Sequence, residues 1–181
     1  ENVTIKNCGG SAIYVEPGSV ASLRVENLSV SHCVLHGISF GTGNEASVDL
    51  QIEGIRAEYS GTLFDVGGSG NPGKTTLQIR NGYAYQCWAD AKISAPASGV
   101  VSGLTFVECG TNPRTEYDGS LASKYIAPFR VFPQTQATLV VSDISLYRCN
   151  KGLELSDVIA DNLVIDSSRG QALTLISSVA N

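Results

Sequence analysis

The sequence has no methionine at all, so it holds no initiator, and the natural start of the polypeptide is expected to lie before Glu1. Long apolar runs are missing too. Nothing approaches the roughly 20 residues that a membrane-crossing helix needs, so no membrane insertion is expected. Runs of Ala, Glu, Lys, Leu and Arg long enough for three helical turns are absent. What remains is rich in Val, Ile and Thr and punctuated by 19 glycines, an all-β composition. A basic excess is also lacking: 12 Lys and Arg stand against 17 Asp and Glu, a net charge of −5. An ordinary nucleic-acid binder shows the opposite balance, so no nucleic-acid partner is expected. No Cys-x-x-Cys pair occurs, and the cysteines number five, which is odd. Both facts argue against a disulfide framework or a zinc site, and no metal or cofactor is expected.

What is present is a repeat. An apolar residue, any residue, an apolar residue, two of any kind and then Cys or Ser recurs seven times. The copies are Val3-Ile5-Cys8, Leu28-Val30-Cys33, Ile55-Ala57-Ser60, Gly82-Ala84-Cys87, Leu104-Phe106-Cys109, Ile144-Leu146-Cys149 and Leu163-Ile165-Ser168. Each carries an apolar pair before it, such as Leu23/Val25 or Leu77/Ile79, and another after it, such as Ile38/Phe40 or Phe129/Val131. A spacing of two marks one face of a strand. Three short strands per repeat, each with one face inward, predict a solenoid of about seven coils over 1–181, a single domain. Between the first and second pairs of successive repeats stand Asn27, Gly54, Asn81, Gly103, Asp143 and Asn162. These residue types tolerate a left-handed backbone, so a tight bend is expected there in every repeat.

Two places depart from the pattern. Gly82 and Ala84 are small for inward positions while Tyr83 and Tyr85 point out, and a bulge would reverse that register. The interval between Cys109 and Cys149 is 40 residues, against 19 to 27 elsewhere, and contains an insertion at 110–127. A long loop on a repetitive scaffold usually carries function, and this one holds Arg114, Glu116, Tyr117, Asp118 and Tyr125.

Other motifs are weaker. Gly68 to Thr75 matches the phosphate-cradling loop of nucleotide hydrolases, but that chemistry needs a helix directly after Lys74-Thr75. The residues that follow alternate as a strand, so a plain glycine-rich loop is the better reading. His32 and His36 lie four apart, a metal-binding spacing on a helix but not on a strand. The cysteines read as a ladder of small inward groups in which only Cys8/Cys33 and Cys87/Cys109 are neighbours. They are expected to be reduced, with no disulfide, which suits folding in a reducing compartment.

The repeat, with a strand such as His36-Gly37-Ile38-Ser39-Phe40 after the Cys ladder, resembles the pectate-lyase-like superfamily of right-handed single-stranded parallel β-helices. That resemblance covers the whole chain as a pattern and includes no catalytic motif. It implies that the strand after the ladder floors a substrate groove. The outward residues of that strand are Tyr14, Ser39, Asp65, Lys92, Arg130, Glu154 and Thr174. The expected substrate-binding set is therefore Asp65, Lys92, Arg114, Tyr117, Arg130 and Glu154, holding an acidic glycan. If the site is catalytic, Asp65, Lys92, Asp118 and Arg130 are the candidates, for a polysaccharide lyase or a glycoside hydrolase. A plain surface ladder of ion pairs is the competing reading.

Among such proteins the chain is most similar to a segment of a bacteriophage tailspike. That similarity implies a receptor-binding protein of the virion tail, assembled in the host cytoplasm as a homotrimer and gripping a bacterial surface polysaccharide. The outward stripe Tyr85, Val107 and Tyr147 would then serve subunit packing rather than act as a sugar-stacking platform, its other reading, and further protein would cover both ends of the stack. The alternatives are a secreted polysaccharide lyase or hydrolase and a non-catalytic shaft or adhesin stalk.

Overall fold

The computed structural model describes residues 2–16, 22–42, 48–68, 75–110, 126–132, 138–166, 172–176 and 179–180. These form strands and no helix: β1 (Val3–Lys6), β2 (Ile13–Val15), β3 (Ser22–Ser31), β4 (His36–Thr42), β5 (Val48–Glu58), β6 (Thr62–Gly68), β7 (Thr75–Tyr85), β8 (Ala91–Ile93), β9 (Ser98–Val107), β10 (Phe129–Val131), β11 (Leu139–Tyr147), β12 (Leu153–Ser156), β13 (Val158–Asp166), β14 (Leu173–Ile176) and β15 (Val179–Ala180). The odd-numbered strands make an eight-stranded sheet in sequence order, and the even-numbered strands a seven-stranded one. Every pairing is parallel, as in β3 on β5 and β4 on β6. Each strand thus pairs with the strand two before it, an arrangement consistent with a parallel β-solenoid.

The repeat seen in the sequence is the register of this stack. Val3, Leu28, Ile55, Gly82, Leu104, Ile144 and Leu163 follow one another as Cα partners across the larger sheet. The side chains of Leu28, Ile55, Leu104 and Ile144 meet those of the smaller sheet in a continuous core, while Val3, on the first strand, is exposed. Phe129 of β10 lies 6.2 Å from Phe64 of β6 and 6.3 Å from Phe106 of β9, ring centre to ring centre. All three rings are fully buried, and each contributes roughly 2–3 kcal/mol of apolar transfer energy.

Three expectations need correction. The three short strands per repeat are two elements, because the first and second run together as one strand of 9 to 11 residues in β3, β5, β7, β9, β11 and β13. The bend between them is a single left-handed residue: φ is 52° at Asn27, 71° at Gly54, 57° at Asn81, 66° at Gly103, 55° at Asp143 and 49° at Asn162. One such residue turns the strand without ending its ladder. Glu26 pairs with Glu53 before the bend and Leu28 with Ile55 after it.

No bulge interrupts the weak repeat either. Gly82 and Ala84 keep their inward register opposite Leu104 and Phe106. The space left by Gly82 is filled by its neighbours: a Cβ there would stand 2.6 Å from Leu104 Cδ2 and 3.1 Å from Leu63 Cδ1. Large residues on adjacent repeats thus compensate for small ones.

The third correction concerns cysteine. Cys8 and Cys33 form a disulfide, with Cα atoms 4.6 Å apart. Equivalent positions on adjacent parallel strands are separated by about one strand spacing, which falls within disulfide range. The spacing that lets thiols stack also lets them bond. Cys149 is moreover the neighbour of Cys109, because β11 follows β9 directly in the sheet despite the long interval. Cys87, Cys109 and Cys149 are buried free thiols, with the Cys87 amide donating to Cys109 Sγ at 3.4 Å. The hydrogen bond between Cys109 and Cys149 lowers the Cys109 pKa, but Cys87 and burial outweigh it and push the thiol up to about 12. Such a thiol stays protonated and unreactive near neutral pH. Ser60 continues the same ladder, accepting from the Cys33 amide at 3.1 Å. Ser168 lies outside the described residues.

Candidate functional site

The smaller sheet alternates strictly enough to expose one residue per strand along its middle. Phe64 and Val66, Ala91 and Ile93, Phe129 and Val131, and Leu153 and Leu155 are buried. The residue between each pair faces outward. Hydrogen-bonded register sets Tyr14, Ser39, Asp65, Lys92, Arg130, Glu154 and Thr174 in one row. Asp65, Lys92, Arg130 and Glu154 are only 18 to 34% exposed at their side chains, so they lie along the surface rather than reaching into solvent.

Their charges answer one another. Lys92 Nζ is 3.3 Å from Asp65 Oδ2, and Arg130 Nε is 2.7 Å from Glu154 Oε2. Arg130 also reaches Asp90 at 3.5 Å, and Lys151 pairs with Glu154. Burial works against the Glu154 charge, but Lys151 and Arg130 outweigh it and hold the carboxyl below the usual range. That suits a fixed anion rather than a general acid. Three carboxylates and three cations make the row electrically balanced, so its cations are already engaged and its pull on a polyanion is weak. A charge on Asp65 and one on Glu154 stand three strand spacings apart, about 14 Å, too far for paired-carboxylate hydrolysis.

At one end the row passes into a polar nook. His36 Nε2 lies 3.9 Å from Asp65 Oδ2, beyond hydrogen-bond length. Burial lowers the His36 pKa, opposed by Asp65 and Asp90 and reinforced by Lys92. His36 Nδ1, Thr62 Oγ1 and Asp65 Oδ1 are buried with no hydrogen-bond partner, an arrangement that costs free energy. At the other end a depression of about 230 Å³ opens between Arg130, Phe132, Glu154, Thr174 and Ile176. The Arg130 guanidinium lies over the Phe132 ring at 4.9 Å. A larger hollow of about 560 Å³ lies on the other sheet by the Asn27–Gly54–Asn81 bend, away from this row.

The insertion at 110–127 is anchored beside the row. The Gly110 amide donates to Cys87 O and the Ile126 amide to Gly110 O, both at 2.9 Å, so its two feet close on each other just before β10. Arg114, Glu116, Tyr117, Asp118 and Tyr125 lie outside the described residues. Of the sequence candidates, therefore, the structure brings together Asp65, Lys92, Arg130 and Glu154. It adds Asp90, Lys151 and His36. Asp90 was legible, since it shares the parity of Lys92. His36 was hidden by a slip in alternation: Gly37 and Ile38 are both buried, as are Leu63 and Phe64, which turns His36 outward beside Asp65.

The remaining motifs separate. His32 stacks on Tyr59 at 5.3 Å while His36 faces Asp65, so the two imidazoles diverge. The glycine-rich loop from Gly68 runs into strand β7 at Thr75, with no helix to receive a phosphate. No protein-family model, no curated protein and no solved structure matches this chain.

Proposed function

We propose that the chain is a segment of a right-handed parallel β-helix of the tailspike type, which binds a bacterial surface polysaccharide along the outward face of its smaller sheet. One observation supports this reading above others: four half-buried charged side chains, Asp65, Lys92, Arg130 and Glu154, stand on successive strands beside the feet of a long insertion. Half-buried, mutually oriented polar groups are preorganised to exchange hydrogen bonds with a sugar chain at little entropic cost. Binding, rather than cleavage, is what the row supports. The charge balance favours a neutral chain over a uronic acid polymer. In the tailspike reading the protein is a homotrimer in the virion tail, with Tyr85, Val107 and Tyr147 at the subunit contact.

The Cys8–Cys33 bridge favours a second reading, a secreted polysaccharide-binding protein, because such bonds persist in oxidising compartments. Oligomeric state separates the two. For the site itself the test is Arg130→Ala, assayed against oligosaccharides released from bacterial capsule and lipopolysaccharide. Loss of the guanidinium should weaken binding by about ten-fold, some 1.4 kcal/mol. If wild type and variant bind alike, the row is a surface ion ladder of a structural shaft.

A further inference from the structure

A second left-handed bend repeats through the stack, at the residue before each Cys or Ser of the ladder. Here φ is 57° at Asn7, 56° at His32, 48° at Tyr59, 48° at Gln86, 55° at Glu108 and 53° at Arg148. The bend is one structural device: in each case the residue's amide donates to the carbonyl of the last strand residue of the next repeat, at 2.9 to 3.1 Å. The backbone requirement matches that of the other bend, where Asn, Gly and Asp meet it with little strain. After Asn7, this bend uses none of them. Five consecutive repeats place a long or aromatic side chain in a conformation such residues rarely adopt.

Stability does not account for the choice. The side chains touch one another mainly at the surface. His32 stacks on Tyr59, Tyr59 meets Tyr85 edge to face at 5.4 Å, Gln86 donates to Glu108 at 2.8 Å, and Arg148 pairs with Glu108 at 2.7 Å. Tyr59 remains 40% exposed and the Arg148 side chain 66% exposed. Contacts of this kind in water are weak. The ridge is one residue wide, carries no net charge from its Glu108–Arg148 pair, and lies six positions before the row in three repeats (Tyr59 and Asp65, Gln86 and Lys92, Arg148 and Glu154).

We infer that this ridge, His32, Tyr59, Gln86, Glu108 and Arg148, is a binding site for a linear glycan laid along the stacking direction. The inference rests on the polysaccharide-binding reading and adds a second subsite to it. Its aromatic end offers ring edges and exposed ring surface to the apolar faces of sugars. Its planar amide, carboxylate and guanidinium offer donors and acceptors to hydroxyls. A hexose unit is about as long as one strand spacing, so a repetitive polymer meets one ridge side chain per sugar.

The test uses Tyr59→Asn and Glu108→Asn, since Asn accepts the left-handed backbone, with Tyr59→Phe as the conservative control. Binding to capsule and lipopolysaccharide oligosaccharides is measured on a biosensor beside Arg130→Ala, with thermal unfolding in parallel. Each Asn variant should weaken binding by about ten-fold while its melting temperature holds or rises, and Tyr59→Phe should bind within about two-fold of wild type. Asn variants that bind like wild type overturn the ridge, and if Arg130→Ala still loses affinity the row alone is the site. Asn variants that lose melting temperature together with affinity, whatever Tyr59→Phe does, also overturn it, because the side chains then serve the fold. Wild type that binds none of these oligosaccharides overturns both readings.

Discussion

The two left-handed bends of each repeat impose the same backbone demand and are filled by opposite kinds of residue. Between the halves of the long strands stand Asn27, Gly54, Asn81, Gly103, Asp143 and Asn162; ahead of the Cys ladder stand His32, Tyr59, Gln86, Glu108 and Arg148. At the first bend space is scarce as well as conformation. A Cβ on Gly54 would approach Asn27 Oδ1 to 2.8 Å, and one on Gly103 would approach Asn81 Oδ1 to 2.9 Å. At the second bend the side chains point into solvent, and nothing but backbone preference restricts them. The comparison teaches that a left-handed backbone shows in sequence where a tight fit reinforces it, and is overridden where the side chain is free in solvent.

The largest test of that difference is Gly103→Val. A β-branched residue at a φ of 66°, pressed against Asn81, should lose about 2–3 kcal/mol, read as a lowered urea midpoint with unchanged slope. A loss below about 0.5 kcal/mol would mean that the first bend is not constrained after all. A reciprocal exchange within one repeat is smaller and sharper. Asn81→Gln should cost about 1 kcal/mol, through conformation and the 2.5 Å hydrogen bond from Asn81 Nδ2 to Glu53, whereas Gln86→Asn should gain up to about 0.5 kcal/mol. Equal losses at both positions would collapse the distinction between the bends.

The smallest effect is read at the half-buried end of the row. Burial lowers the pKa of His36 below its ordinary value of 6.5, so the unfolded chain binds the proton more tightly than the folded one. Stability from this group is therefore complete above about pH 6.5 and is lost as pH falls through the lowered folded pKa. His36→Gln should flatten the denaturant midpoint over that window. A wild-type midpoint that does not fall on acidification below about pH 6.5 would contradict the desolvation of His36.

Much of the stack was legible because its determinants are local and repeated. Alternation decides which side chains of Phe64-Asp65-Val66 face inward, and the same count on β8, β10 and β12 aligns the row. The first bend was legible through Asn and Gly. The second was not, since Tyr59 and Arg148 carry no signature of a positive φ. The candidate site was half legible. Parity supplied Asp65, Lys92, Arg130 and Glu154, while the remaining candidates, Arg114, Tyr117 and Asp118, belong to the insertion, where no repeat constrains the chain.

By itself, then, the sequence determined the repeat length, the inward and outward sets, and the order in which the rungs follow one another. Each of these is set by short-range periodicity against a common core, and a one-residue slip would bury the charges and expose the phenylalanines. Only the tertiary structure decided what happens between rungs. It bonded Cys8 to Cys33 and left Cys87, Cys109 and Cys149 as thiols, gave Arg130 to both Asp90 and Glu154, and turned His36 outward beside Asp65. Those choices depend on side-chain rotamers and ångström-scale distances across strands that lie 19 to 40 residues apart in the chain, and no local pattern encodes them.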